Sequence, residues 1–187
     1  MKITKENLSI YNNLLQGKSP LEIVGWAIGI AENPVVTTNF GPHSASMLNL
    51  VTKVKSDIKA IWCDTGYNTS HTYRHAVDIS KKLALNLFTY IPRQTASQRD
   101  ALFGGIPAVE NPQHKVFTEQ VKLEPFRRAM QEHQPDVWFT NIRKGQTVFR
   151  DSLDILSLSK DGILKVSPFY NWSDEQLEEY LEQNNLI

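Results

Sequence analysis

Three short segments collect side chains suited to holding an anion. The first is Thr37-Thr38-Asn39-Phe40-Gly41-Pro42-His43-Ser44-Ala45-Ser46, which puts hydroxyls, an amide and a glycine ahead of a helical stretch. Backbone N–H groups at such a helix start, aided by the helix dipole, suit a phosphate or sulfate. A plain turn with capping residues would share this composition. The second is Trp62-Cys63-Asp64-Thr65-Gly66-Tyr67-Asn68. Asp64 there either orders its own loop or bonds a ligand hydroxyl, and Gly66 lets a backbone approach closely. The third is Asn141-Ile142-Arg143-Lys144-Gly145-Gln146-Thr147-Val148-Phe149-Arg150. Its two guanidinium forks match phosphate or sulfate oxygens, with Lys144 between them. Lys122, Arg127 and Arg128 add positive charge upstream. A solvated basic loop is the plain alternative.

Other chemistry is poorly supported. Gly17-Lys18-Ser19 resembles the end of a phosphate-binding loop, but Asn12 stands where that loop needs glycine. GxGxxG, HExxH and CxxC patterns are absent. His71 and His75 have a metal-compatible spacing without a third ligand, so they read as ordinary helix histidines and no metal is expected. Cys63 is the one cysteine, which excludes an internal disulfide and a multi-cysteine metal site. Its neighbour Asp64 is expected to raise the thiol pKa and disfavour the thiolate.

The elements that position these loops follow from pattern and punctuation. Ser19-Pro20-Leu21-Glu22 has the form of a capping box opening a helix through about residue 30. Strands are expected at 35–38, 58–63, 87–91, 137–141 and 163–166. Helices are expected at 43–54, from a Ser70 cap to about residue 83, and near 125–133. Ser173-Asp174-Glu175-Gln176 is a second capping box, with Leu177, Tyr180 and Leu181 on one helical face. Strands alternating with helices imply βαβ units, a mainly parallel sheet and an α/β fold. In such sheets ligands bind at the carboxyl ends of strands, where all three loops fall. Residues 92–121 read as an irregular lid or binding loop.

At 187 residues and 41% hydrophobic content the chain fits one globular domain. Its longest apolar run, residues 23–31, is too short for a membrane span, and its start lacks a secretory pattern. A cytoplasmic protein that binds neither membrane nor nucleic acid is therefore expected. The 20 basic and 20 acidic residues balance, but five acids (Asp174, Glu175, Glu178, Glu179, Glu182) lie after residue 172. That leaves a net +5 on the rest of the chain. The last helix is expected to turn its carboxylates to water, since burying them unpaired is costly. It is also expected to leave the mouth of the pocket less covered.

In order and spacing, the chain resembles the 3′-phosphoadenylyl sulfate (PAPS) reductase family. The resemblance rests on TTNFGPHSASMLNLV at 37–51, DTGYNTSHTYRH at 64–75, KLEPFRRAM at 122–130, WFTNIRKGQTVFR at 138–150 and ILKVSPFYNWSDEQLEEYLEQNNL at 163–186. It implies the adenine-nucleotide α-hydrolase-like fold, a doubly wound, mainly parallel sheet with helices on both faces. It assigns Thr38, Asn39, Phe40, Gly41, His43 and Ser44 to the loop around sulfate and phosphates. It assigns Asp64, Thr65 and Gly66 to the substrate pocket, and Lys122, Arg143, Lys144, Gln146 and Arg150 to the phosphosulfate and 3′-phosphate pockets.

The implied reaction, part of sulfate assimilation, is thiol-dependent reduction of an adenine sulfonucleotide to sulfite, with thioredoxin or glutaredoxin as electron donor. A homodimer is compatible with the resemblance. The family's nucleophilic cysteine lies in a Glu-Cys-Gly-Leu-His segment. No cysteine follows position 63, so residues 1–187 are expected to form a single domain without that tail and without a catalytic thiolate of their own. The cysteines that hold an iron–sulfur cluster in one branch are missing before Lys122, and no cluster is expected. Lys144 replaces a usual arginine and gives up the bidentate fork that would grip a 3′-phosphate. The rival readings are an inactive nucleotide-binding or regulatory module, and an ATP-using hydrolase or transferase of the same superfamily.

Overall fold

The computed structural model describes residues 2–186. In chain order, α1 (Leu8–Leu15) and α2 (Pro20–Ile30) lead into β1 (Pro34–Thr38). Next come α3 (Ser44–Val54), β2 (Lys59–Cys63), α4 (Ser70–Lys82) and β3 (Asn86–Tyr90). Then follow α5 (Ala96–Phe103), α6 (Gln113–Thr118), a π-helical turn (Glu119–Leu123), α7 (Glu124–His133) and β4 (Val137–Phe139). The chain continues through α8 (Val148–Asp151), β5 (Leu156–Leu158), β6 (Leu164–Val166) and α9 (Asp174–Gln183).

The strands form one sheet in the order β3-β2-β1-β4-β6-β5, parallel except for the β5–β6 pair. Strand order reverses between β1 and β4, so the loops leaving those two strands flank a topological switch point. The pleat sends alternate residues to opposite faces. Val36, Ala60 and Trp62 enter a large core with Val24 and Ala27 of α2, Leu48 of α3, Ile79 of α4 and Leu177 of α9. Val35, Ile61 and Tyr90 face Ala129 of α7 in a smaller one. Both faces are therefore covered, as expected for a doubly wound sheet. No helix among the described residues is long and apolar enough to cross a membrane.

Capping chemistry decides several boundaries. Ser19 accepts a hydrogen bond from the Glu22 N–H while Glu22 reaches back to the Ser19 N–H, closing the expected capping box. Ser173 and Gln176 do the same at α9. At α4 the cap is Thr69, whose hydroxyl accepts from the Thr72 N–H, and Ser70 is the first helical residue rather than the cap.

Two further features depart from the sequence reading. Residues 92–121 carry α5 and α6 rather than an irregular lid. The strand at 164–166 is the sixth, because β5 precedes it as an antiparallel edge. That edge is partly closed by the buried Asn12 of α1. Its amide donates to the Leu156 carbonyl at 3.0 Å and accepts from the Leu156 N–H at 2.8 Å, as a neighbouring strand would.

Candidate functional site

The β1–α3 loop is tied to itself. Thr38 Oγ1 accepts the Phe40 N–H at 3.0 Å, and Asn39 Oδ1 accepts the Gly41 N–H at 3.0 Å. These two N–H groups, expected to face an anion, are thus engaged within the loop. Phe40 takes a left-handed conformation at φ 50°, and its ring is buried edge-on against Trp62. Its side chain anchors the loop to the core. Gly41 packs closely on this loop, since a Cβ there would lie 3.1 Å from Asn39 Oδ1 and push that side chain aside. Ser44 Oγ donates to the Gly41 carbonyl, which fixes the entry into α3.

Asp64 organises the β2–α4 loop. Its Oδ1 accepts from the Gly66 N–H at 3.0 Å, Asn68 Nδ2 at 2.8 Å and the Tyr73 hydroxyl at 3.0 Å. Of the two sequence readings for Asp64, loop ordering is the one these bonds support. Gly66 meets the positive φ of 79° that the turn demands. Thr65 Oγ1 accepts the Tyr67 N–H. Tyr67 then leaves the loop, packs edge-on against Phe117 and donates to Asp100 at 2.6 Å. It borders a cavity of about 360 Å³ whose other walls include Arg93, Arg99, Gln120 and Glu124. The 92–121 segment therefore packs beside the second loop, at the β2–β3 side of the sheet.

The loop after β4 meets the loop after β1 across the switch point. Asn141 Nδ2 donates to the His43 carbonyl at 3.0 Å, and Arg143 Nη2 lies 3.4 Å from His43 Nδ1. Gln146 Oε1 accepts both the Arg143 backbone N–H at 3.0 Å and Arg150 Nη1 at 2.6 Å, which ties the Arg150 guanidinium to the Arg143 backbone. Lys144 N–H donates to the Tyr170 carbonyl, and Gly145 N–H to Asp151 Oδ1. Arg143 is only 7% exposed, and its Nε–H is buried with no hydrogen-bond partner. An unfilled donor on a buried cation is a costly arrangement and one that a ligand oxygen would relieve. His43, Arg143, Gln146 and Arg150 thus form one connected group.

Other expected cations lie elsewhere. Lys122 is exposed on the π-helical turn, where its charge reaches Cys63. Arg127 pairs with Glu119, and Arg128 pairs with Glu124 at 3.1 Å while donating to the Ile91 carbonyl. Both arginines are structural in this fold and do not add to the Arg143 group.

The last helix adds two charges that the sequence reading did not assign to the site. Its apolar side is buried as foreseen, with Leu177 fully enclosed and Tyr180 against Phe169 and Trp172. Its acidic side stays exposed to water as expected, but two of its carboxylates also lie beside the site. Asp174 Oδ1 lies 2.5 Å from Arg143 Nη1 and 3.7 Å from His43 Nδ1, and Glu178 Oε1 lies 3.8 Å from His43 Nε2. The Arg143 hydrogen bond and charge hold the Asp174 carboxyl below the usual carboxylate range. The start of α9 thus sets two carboxylates beside the site. Neither was legible as a site residue. The only signal was an acidic capping box, which says nothing about what its helix will face.

Cys63 packs in the smaller core with Ile61 and Tyr90. Burial pushes its thiol up to about 11, against a downward pull from Arg128 and Lys122. The direction matches the sequence expectation, but the cause is burial rather than the neighbouring Asp64.

A doubly wound sheet with a guanidinium and polar loops converging at its switch point defines a class of nucleotide- and anion-binding α/β domains. Comparison with known proteins places the chain within that class. Residues 33–187 match the family model described as the phosphoadenosine phosphosulfate reductase domain. A phosphoadenosine 5′-phosphosulfate reductase of Vibrio atlanticus is 36% identical, the match covering 94% of this chain and 68% of that protein. One from a Synechococcus strain is 32% identical over 96% of this chain and 78% of its own length. The chain belongs to the PAPS reductase family. Its fold also matches a PAPS reductase from Candida auris in a phosphate complex, with a TM-score of 0.86 and 24% identity over 99% of this chain and 89% of that one. An NH3-dependent NAD synthetase from Campylobacter jejuni shares the fold more distantly, with a TM-score of 0.61 over 89% of this chain and 71% of that one.

Proposed function

We propose that the chain binds an adenine sulfonucleotide such as PAPS and serves its reduction to sulfite. One observation carries the proposal. At the β1–β4 switch point, Arg143 is buried with an unfilled Nε–H beside His43. The terminal nitrogens of this guanidinium, between the two loops, are donors suited to a sulfate or phosphate oxygen. Arg150, held to Gln146, and Lys144 supply further charge on the same loop, while Thr38, Asn39, Gly41 and Ser44 shape the opposite wall. The family resemblance adds Asp64, Thr65 and Gly66 of the β2–α4 loop to this reading, together with Lys122, whose charge reaches Cys63 at the end of β2. The phosphate in the Candida auris reductase complex fits a fold that takes up oxyanions.

In this reading a thiolate attacks the sulfonate sulfur. The S–S bond forms, the S–O bond to the nucleotide breaks, and the nucleotide departs with the electron pair. A dithiol donor of the thioredoxin or glutaredoxin type then reduces the S-sulfonate, releasing sulfite as its own thiols become a disulfide. Cys63, buried and held protonated, is poorly suited to be that nucleophile. The attacking thiolate is therefore assigned outside residues 1–187.

Calorimetry against PAPS, adenosine 3′,5′-bisphosphate, adenylyl sulfate and ATP tests the binding. The sulfonucleotides are expected to bind, and Arg143→Ala to weaken them by about 1–3 kcal/mol. No measurable affinity for any of them at low salt would overturn the proposal.

A further inference from the structure

Arg143 meets an internal anion at the place proposed for an external one. Its Nη1 is taken by Asp174 Oδ1 at 2.5 Å, its Nη2 faces His43, and its Nε–H is buried and unfilled. The two partners differ in exposure. The Arg143 side chain is 9% exposed, whereas that of Asp174 is 62% exposed at the first position of α9. Asp174, at the exposed start of α9, is the carboxylate that meets this guanidinium, through Nη1. A tetrahedral oxyanion can span the two terminal nitrogens, Nη1 and Nη2, and doing so requires the Asp174 oxygen to leave Nη1.

We propose that Asp174 is a displaceable internal anion: it occupies the Arg143 seat in the unliganded protein and leaves it when a sulfate or phosphate group binds. Asp174 thereby sets the anion affinity of the site, and Glu178, beside the far nitrogen of His43, adds a second negative charge to the same wall. Such a carboxylate limits occupation by weakly held anions and favours ligands with enough charge and enough oxygens to compete it away. The inference rests on the reading of Arg143 as an anion seat, but not on which nucleotide carries the anion.

The test follows the Arg143 Nε–H resonance by NMR during a titration with inorganic sulfate. In the natural protein, sulfate is expected to shift that resonance. In Asp174→Asn the half-saturating sulfate concentration is expected to fall by about three- to fivefold, the size expected when one exposed ion pair stops competing. Glu175→Gln removes a carboxylate from the same helical turn, one whose hydrogen bond is to Ser173, and is expected to leave the sulfate titration unchanged. In an Arg143→Lys background, the Asp174→Asn gain is expected to shrink, read from the backbone resonances of His43.

Equal saturation of the natural protein and Asp174→Asn would overturn the proposal. So would weaker binding by Asp174→Asn, or no Arg143 response to sulfate in either protein. Sulfate displacement as described, with no affinity for any adenine nucleotide, would leave this proposal standing and remove the sulfonucleotide reading instead.

Discussion

Cys63 shows how a residue's environment decides its chemistry. A cysteine at a strand end beside a substrate loop is where a nucleophile could sit. The pleat instead turns it into the small core with Ile61 and Tyr90, where burial pushes the thiol to about 11. At pH 8 roughly one thiol in a thousand is then ionised. Iodoacetamide is expected to label Cys63 in the folded protein far more slowly than in urea, with a rate still climbing at pH 10. A folded-state rate that levels off below pH 9 would contradict this burial argument. Asp64 carries the complementary lesson. Its Oδ1 is committed to Gly66, Asn68 and Tyr73, so it acts on a ligand chiefly by fixing the loop's shape.

At the scale of elements, α9 is fastened at both its start and its face. The Ser173–Gln176 capping box satisfies two N–H groups that the first turn would otherwise leave open. Leu177 and Leu181 bury the apolar stripe, and Tyr180 donates to Asn49 Oδ1 of α3 at 2.8 Å. Removing the cap with Ser173→Ala is expected to cost about 1 kcal/mol in urea unfolding. Because the cap aims the first turn, the same variant is expected to loosen the Asp174–Arg143 contact, visible as a rise in the Asp174 carboxyl pKa by NMR. An unchanged unfolding midpoint would show that packing alone places this helix.

For the whole molecule, the charge groups make acid the destabilising direction. His133, packed on Phe88 and within 3.0 Å of the Tyr90 hydroxyl, has its pKa lowered by burial and then by Lys59. The unfolded chain therefore binds a proton on His133 more readily than the folded one, so stability rises with pH through this window. Its contribution is present above the ordinary histidine pKa near 6.5 and is lost as pH falls toward the folded value. Asp174, Glu119 and Glu124 have lowered pKa values too, and their contributions are lost at lower pH, below the ordinary carboxylate range. Urea midpoints are thus expected to fall from pH 7 to pH 5 and again below pH 4. His133→Gln is expected to flatten the upper fall while leaving the lower one. A fall that persists unchanged in His133→Gln would assign it to another group.

The local signals of this sequence were decisive where the physics is local. Ser19-Pro20-Leu21-Glu22 and Ser173-Asp174-Glu175-Gln176 set their helix starts because a capping box is closed by residues three apart. The β-branched run at 35–38 and the alternation of strands with helices gave the parallel sheet, and with it the strand ends where the loops belong. Thr69 displaced Ser70 as a cap because two adjacent hydroxyls offer equivalent local chemistry, and backbone geometry chose between them. The short β5 and the pairing of Asn12 with Leu156 needed partners far along the chain. So did the fate of the charges. The residue types told that Arg127, Arg128 and Arg143 are cations and Asp174 an anion. Only the tertiary structure spent Arg127 and Arg128 on Glu119 and Glu124, buried Arg143 with an unfilled donor, and brought Asp174 against it. Helical and capping interactions reach a few residues, whereas electrostatic pairing and burial depend on which surfaces the completed sheet brings together.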